Sequence, residues 1–173
     1  RSLGDRLGCA VLNSDVVRKE LAGIPPDQSA AAPYGTGIYS PAHTERTYAT
    51  LLGRAETLLE QGESVVLDAS WTVAEHRTLA RLLARRTHAD LFALRCEAPP
   101  ALAEQRMRAR TGGPSDADPE IAAAMAARSA PWPEADVIDT SGPADKAVEQ
   151  ALSIVRPHGA EHVWPRRPQL PPG

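Results

Sequence analysis

The sequence predicts an α/β protein built on a parallel sheet, and three observations carry that expectation. Four short apolar runs, Ala10–Asn13, Ser64–Asp68, Leu91–Cys96 and Val137–Asp139, have the length and composition of buried strands. Stretches with apolar residues at helical spacing alternate with these runs, an order that argues for parallel strands joined by crossover helices. Two acids, Asp15 and Asp68, fall where the first two runs end, and open parallel sheets bind their ligands outside that carboxyl edge.

Taken in order, Arg1 to Gly8 reads as the end of a helix, with Leu3 and Leu7 on one face and Gly8 suited to the C-cap. It shows no start of its own, which points to sequence upstream. The first strand follows, and a helix begins at its carboxyl end. Ile24 to Pro41, rich in Pro, Ala, Gly and Tyr, reads as a long mobile loop, and loops of that length are usually functional or disordered. Thr44–Gln61 sets Tyr48, Leu51, Leu52, Ala55, Leu58 and Leu59 at helical spacing before Gly62 ends the helix, and Val73–Arg86 repeats the pattern with Leu79, Leu82 and Leu83. Pro99–Arg110, roughly Pro119–Arg128, and Ala144–Val155 read as three more helices. Residues 157–173 are proline-rich with little apolar content and read as a tail or linker after one domain over residues 1–156.

Composition narrows the function. The chain has 173 residues, 42% of them hydrophobic, enough for one proper core. A formal charge of −3 gives no electrostatic case for nucleic acid or an anionic membrane. No apolar run approaches the ~20 residues of a membrane span, and no signal peptide is evident. Cys9 and Cys96 sit far apart in apolar runs, which suggests buried thiols in a reducing, cytoplasmic compartment. No Cys/His spacing fits a zinc site. Lysine occurs only at Lys19 and Lys146.

Four groups of residues carry candidate chemistry. Asp15 and Arg18 lie three apart on the helix after the first strand, so a carboxylate and a guanidinium share one face. The carboxylate can take a proton from a hydroxyl, and the guanidinium can hold a phosphoryl group. The alternative is a helix-capping Asp15 beside a solvated Arg18. Asp68, with Ser70 and Trp71 just beyond it, could orient Arg18 or hold a magnesium-bound water, or could merely cap the next helix. Arg106 and Arg110 share a helical face ahead of Gly112-Gly113, which suggests a lid closing over a polyphosphate, with an exposed basic face as the alternative. The turn at Asp139-Thr-Ser-Gly142 could border a nucleotide base.

The ordered set Ser-Asp-Val-Val-Arg18, Tyr34-Gly-Thr-Gly-Ile-Tyr-Ser, Ser-Val-Val-Leu-Asp68-Ala-Ser, Cys-Glu-Ala-Pro-Pro, Arg106-Met-Arg-Ala-Arg110, Pro-Ser-Asp-Ala-Asp and Asp139-Thr-Ser-Gly-Pro resembles the small P-loop kinase-like ATPases of the AAA type. These are often fused behind an aminoglycoside-phosphotransferase-like domain. More distantly, the chain is similar to the kinase domain of polynucleotide kinases, to gluconate kinase and to zeta toxins. The resemblance covers roughly Arg1 to Arg156. It implies a three-layer P-loop fold, a parallel sheet flanked by helices, with ATP and Mg2+ as cofactors. It also implies Asp15 as base, Arg18 as a substrate or phosphate ligand, Asp68 as its partner and Arg106 with Arg110 as the lid. Arg106, Arg110, Ser141 and Gly142 would face the nucleotide.

One departure is large. The Gly-x-x-x-x-Gly-Lys-Ser/Thr loop, which the family places just before the first helix, does not occur in these residues, and neither lysine stands where it could substitute. The family's first strand, which would precede the helical Arg1–Gly8, and its P-loop are thus expected to be absent from the given chain, which alone is expected to bind ATP weakly and to be inactive. The leading expectation is the substrate-side and lid portion of an ATP-dependent phosphotransferase acting on a small-molecule hydroxyl, cytoplasmic, with a fused upstream phosphotransferase-like domain as a candidate partner. The alternatives are a nucleotide-binding regulatory ATPase module without kinase activity and a nucleic-acid 5′-end kinase. The last lacks a basic stripe with interleaved aromatics.

Overall fold

The computed structural model describes residues 2–25, 28, 35–109, 125, 127 and 129–156. Arg110, most of the helix expected over Pro119–Arg128, and the tail expected over 157–173 lie outside the described residues. The elements run α1 (Ser2–Leu7), β1 (Ala10–Asn13), α2 (Ser14–Leu21), a 3-10 turn (Gly37–Tyr39), α3 (Pro41–Glu60), β2 (Val65–Asp68), α4 (Ala74–Arg86), β3 (Leu94–Glu97), α5 (Pro100–Ala109), β4 (Asp136–Asp139) and α6 (Ala144–Val155). The protein is therefore mixed α/β.

Among the described residues all strand pairing is parallel, as the alternating pattern predicts. β1 lies beside β2 with Ala10 opposite Val65 and Asn13 opposite Asp68. β3 lies beside β4 with Leu94 opposite Asp136 and Glu97 opposite Asp139. The expectation of one sheet containing all four strands needs correction: among the described residues the strands form two parallel pairs, and no ladder joins β2 to β3. A ladder requires strands about 4.8 Å apart, and these two are not hydrogen-bonding neighbours. They are nevertheless within electrostatic reach. Partial desolvation of its sulfur pushes the Cys96 thiol above its usual range, and the Asp68 carboxylate adds to that rise. Helix α1 touches both halves, because Gly4 packs so closely on Val11 that a Cβ there would run into its Cγ2, while Arg6 pairs with Glu149 of α6 at 2.6 Å.

The main core forms where α2, α3 and α4 meet the β1–β2 pair, and it gathers Val17, Tyr48, Leu51, Leu52, Ala55, Trp71, Ala80 and Leu83. Helix α3 starts earlier than apolar spacing suggests, because Ser40 Oγ accepts from His43 N–H and Pro41 occupies the first turn. Of the loop expected over Ile24–Pro41, Pro41 belongs to α3 and Gly37–Tyr39 form the 3-10 turn, while residues 26, 27 and 29–34 lie outside the described residues. Helix α4 is turned relative to expectation. It buries His76, Arg77, Ala80, Leu83 and Ala84, and leaves Leu79 and Leu82 exposed. The polar pair sets that orientation, since both side chains find partners inside. The thiols also differ from expectation: Cys9 is half-buried and Cys96 exposed, because the β3–β4 pair leaves most of its residues open to solvent. No described helix is long and apolar enough to cross a membrane.

Leu51 is 0% exposed at the centre of this core. Leu51→Ala should lower unfolding free energy by about 2–5 kcal/mol, read from urea denaturation, with little change in the denaturant slope.

Candidate functional site

The site begins with Asn13, the last residue of β1. Its backbone is still extended, φ −104 and ψ 129, and its Oδ1 accepts the N–H groups of Asp15 and Val16, so Asn13 caps α2. The same amide donates from Nδ2 to Asp68 Oδ2 at 2.8 Å. The capping role considered for Asp15 thus belongs to Asn13. Asp68 likewise does not cap α4, whose N-cap is Val73. Parallel register brings Asp15 and Asp68 to the same carboxyl edge. Asn13, missed by the motif reading, carries the ordinary signature of an N-cap one residue before a helix. Magnesium takes one or two carboxylates and fills its remaining positions with phosphate and water. The two acids are donors of that kind, although among the described residues no group of three or more metal-ligating side chains gathers.

Arg18 is only 7% exposed. Its Nη1 donates to Ile38 O at 2.8 Å and to Thr44 Oγ1 at 3.2 Å, its guanidinium lies 5.0 Å from the Tyr39 ring centroid, and its Nε stands 3.9 Å from Asp15 Oδ1. Nε itself has no hydrogen-bond partner. Arg18 therefore meets Asp15 and not Asp68, whose recorded partner is Asn13. It fastens the 3-10 turn to α2. Lys19 does similar work, buried and donating from Nζ to Gln28 O at 2.8 Å.

Beyond Asp68 the chain turns sharply through Ser70 and Trp71. Trp71 has φ +50, a conformation that costs a bulky residue free energy and persists only where its surroundings enforce it. Here both of its backbone groups are held. Tyr48 Oη, 3.3 Å from Ser70 Oγ, accepts the Trp71 N–H at 3.1 Å, and Arg77 Nε donates to Trp71 O at 2.6 Å. His76 stacks on Tyr48 with centroids 3.8 Å apart, and its Nε2 meets Glu45 Oε1 at 3.0 Å. Arg77, 5% exposed, also donates to Thr72 O, Ala130 O and Pro131 O and lies over the Trp132 ring. Nothing in residue spacing marks Tyr48 or Arg77 as partners of the Trp71 backbone, or His76 as a partner of Tyr48.

The second cluster lies at the end of β4. Arg106 donates to the carbonyls of Thr140, Ser141 and Gly142, so the structure joins three residues expected near a nucleotide. Arg108 points away and pairs with Glu104. Asp139 Oδ1 accepts the Ser141 N–H at 2.8 Å. Together with the Ser141 hydroxyl, the stronger influence, this holds the Asp139 carboxyl below its ordinary range.

A P-loop fold's carboxyl-edge geometry and the ordered motifs agree with the sequence comparisons. Residues 1–132 match the family described as an AAA domain, and the chain belongs to that family. It is a P-loop NTPase-like, nucleotide-binding type of domain. Among curated relatives, an uncharacterized protein of Mycobacterium bovis and one of Mycobacterium tuberculosis strain H37Rv are each 38% identical over 156 residues, 90% of this chain. That match covers 31% of each relative, so the chain spans about a third of their length. No solved structure matches the chain significantly.

Two outcomes follow from this geometry. Asn13→Ala removes the α2 cap and should cost about 0.5–2 kcal/mol in thermal or urea unfolding, and Asn13→Asp, which keeps a capping oxygen but faces Asp68 with a second carboxylate, should also be destabilised at neutral pH. For Asp139, a folded pKa below the unfolded one means a contribution present above the unfolded pKa and lost as pH falls through the folded one. Ser141→Ala should return the Asp139 carboxyl toward its ordinary range in a carbon-13 NMR titration.

Proposed function

We propose that this chain is the substrate-side and lid portion of an ATP-dependent kinase that phosphorylates a small-molecule hydroxyl. The observation that carries the reading is that Asp15 and Asp68 lie at one parallel carboxyl edge, with the buried Arg18 guanidinium beside Asp15. Asp15, relieved of capping by Asn13, would accept the hydroxyl proton. Arg18 would hold both Asp15 and the Ile38–Tyr39 turn in place, and Asp68 would contribute to the magnesium environment.

The 173 residues contain no Gly-x-x-x-x-Gly-Lys-Ser/Thr loop, so they do not by themselves fit the phosphates of ATP. When bound, that nucleotide would supply the phosphoryl group. Among the described residues β2 and β3 each lack a strand partner on one edge, which supports a further parallel strand between them, followed by the phosphate loop leading into α1, in a three-layer fold of one parallel sheet flanked by helices. In this reading Arg106 and Arg110 form the lid, Ser141 and Gly142 border the base, residues 1–156 are the domain, and 157–173 are a tail. The greater length of the mycobacterial relatives supports an additional domain, for which a phosphotransferase-like partner is the candidate. A cytoplasmic site of action accords with ATP as donor.

A second reading, a regulatory nucleotide-binding module without transfer, is favoured by how Arg18 and Arg106 spend N–H groups on backbone carbonyls. One experiment separates the two. In the full gene product, γ-phosphoryl transfer from magnesium-ATP to a panel of small-molecule alcohols is measured beside ATP affinity for native protein and Asp15→Asn. The kinase reading expects turnover to fall ~10²–10⁴-fold with ATP affinity almost unchanged. ATP binding with no transfer by the native protein, or full turnover by Asp15→Asn, moves the regulatory reading ahead.

A further inference from the structure

Arg77 is a buried cation that donates to four backbone carbonyls, and those carbonyls belong to two separate segments. Trp71 and Thr72 form the turn that leaves β2 three residues after Asp68, whereas Ala130 and Pro131 lie on the approach to β4. The planar guanidinium spans both, donating at 2.6 Å and 3.3 Å to the turn and at 2.9 Å and 2.8 Å to the approach. Trp132 covers it at 4.6 Å, and Ala130 N–H donates to Thr72 O at 3.0 Å, closing the contact. A guanidinium is suited to this task because its fork of N–H groups is fixed in one plane, which a lysine ammonium does not reproduce.

We infer that Arg77 is a positioning residue that makes the strained Trp71 turn and the Ala130–Trp132 approach a single mechanical unit, so that displacement of the approach moves Ser70 and Trp71 beside Asp68. The strain at Trp71 adds to the argument. A residue at φ +50 returns toward ordinary backbone when its restraints loosen, and Arg77 supplies the restraint on its carbonyl. The relevance to phosphoryl transfer rests on the kinase reading, but the coupling of the two segments does not.

The test is a double-mutant cycle followed by backbone amide NMR of the full chain without nucleotide. Trp132→Ala is made in the native background and in Arg77→Lys. In the native background it should shift the amide resonances of Ser70 and Trp71, and in Arg77→Lys that response should shrink several-fold. Unmoved Ser70 and Trp71 resonances in the native background overturn the inference. Equal responses in both backgrounds also overturn it, because they would mean that Trp132 acts through core packing alone. Should Arg77→Lys fail to fold, Trp132→Phe replaces it as the comparison: an aromatic face over the guanidinium should leave the two resonances near their native positions, and displacements as large as those of Trp132→Ala count against Arg77. With nucleotide left out, loss of the kinase reading would leave the outcome readable.

Discussion

Everything at the candidate site depends on what a single amide, that of Asn13, does with its two ends. The oxygen satisfies N–H groups that the first turn of α2 leaves open, and the nitrogen meets the carboxylate of Asp68 on the neighbouring strand. The start of a helix and the end of a strand are thereby referred to the same atoms. An aspartate would cap as well but repel Asp68, and a serine would cap without an amide to offer across the sheet. A side chain whose acceptor and donor are separate atoms closes this arrangement, and it does so without occupying the Asp15 carboxylate as a cap.

Around that anchor the protein uses buried cations as fasteners. Arg18 secures the Ile38–Tyr39 turn, Lys19 secures Gln28, and Arg77 joins the β2 turn to the approach to β4. Burying charge is costly unless hydrogen bonds replace water, and backbone carbonyls supply them here. Irregular segments cannot use the regular ladders of helix and sheet, so side chains with several donors become their substitute. The site is consequently built less from loops packing on one another than from loops tied individually to helices.

The parts of the structure that were legible in the sequence were those governed by periodicity. The apolar runs located all four strands to within a few residues, and the alternation with helices gave their parallel sense. Acids at strand ends marked the edge that Asp15 and Asp68 share. What escaped was governed by partners distant in sequence. The inward face of α4 looked as if it should carry Leu79 and Leu82, yet His76 and Arg77 occupy it, because Tyr48 and four carbonyls reward their burial. The positive φ of Trp71 gave no sign either, since strain of this kind comes from restraints at Tyr48 and Arg77 rather than from the residue itself. The attachment of Arg106 to the 140–142 turn escaped as well, because it depends on a contact more than thirty residues away.

The burial of Lys19 also decides how the protein presents itself to amine chemistry. With only two lysines in the chain and Lys19 enclosed at 1% exposure, Lys146 on α6 is the lysine amine open to solvent. Arginine carries the rest of the positive charge and resists the same reagents, because its guanidinium stays protonated. Acylation, crosslinking or attachment of a label through a lysine would therefore fall on one helix, on the β3–β4 side of the molecule, leaving the edge that holds Asn13, Asp15 and Asp68 unmarked.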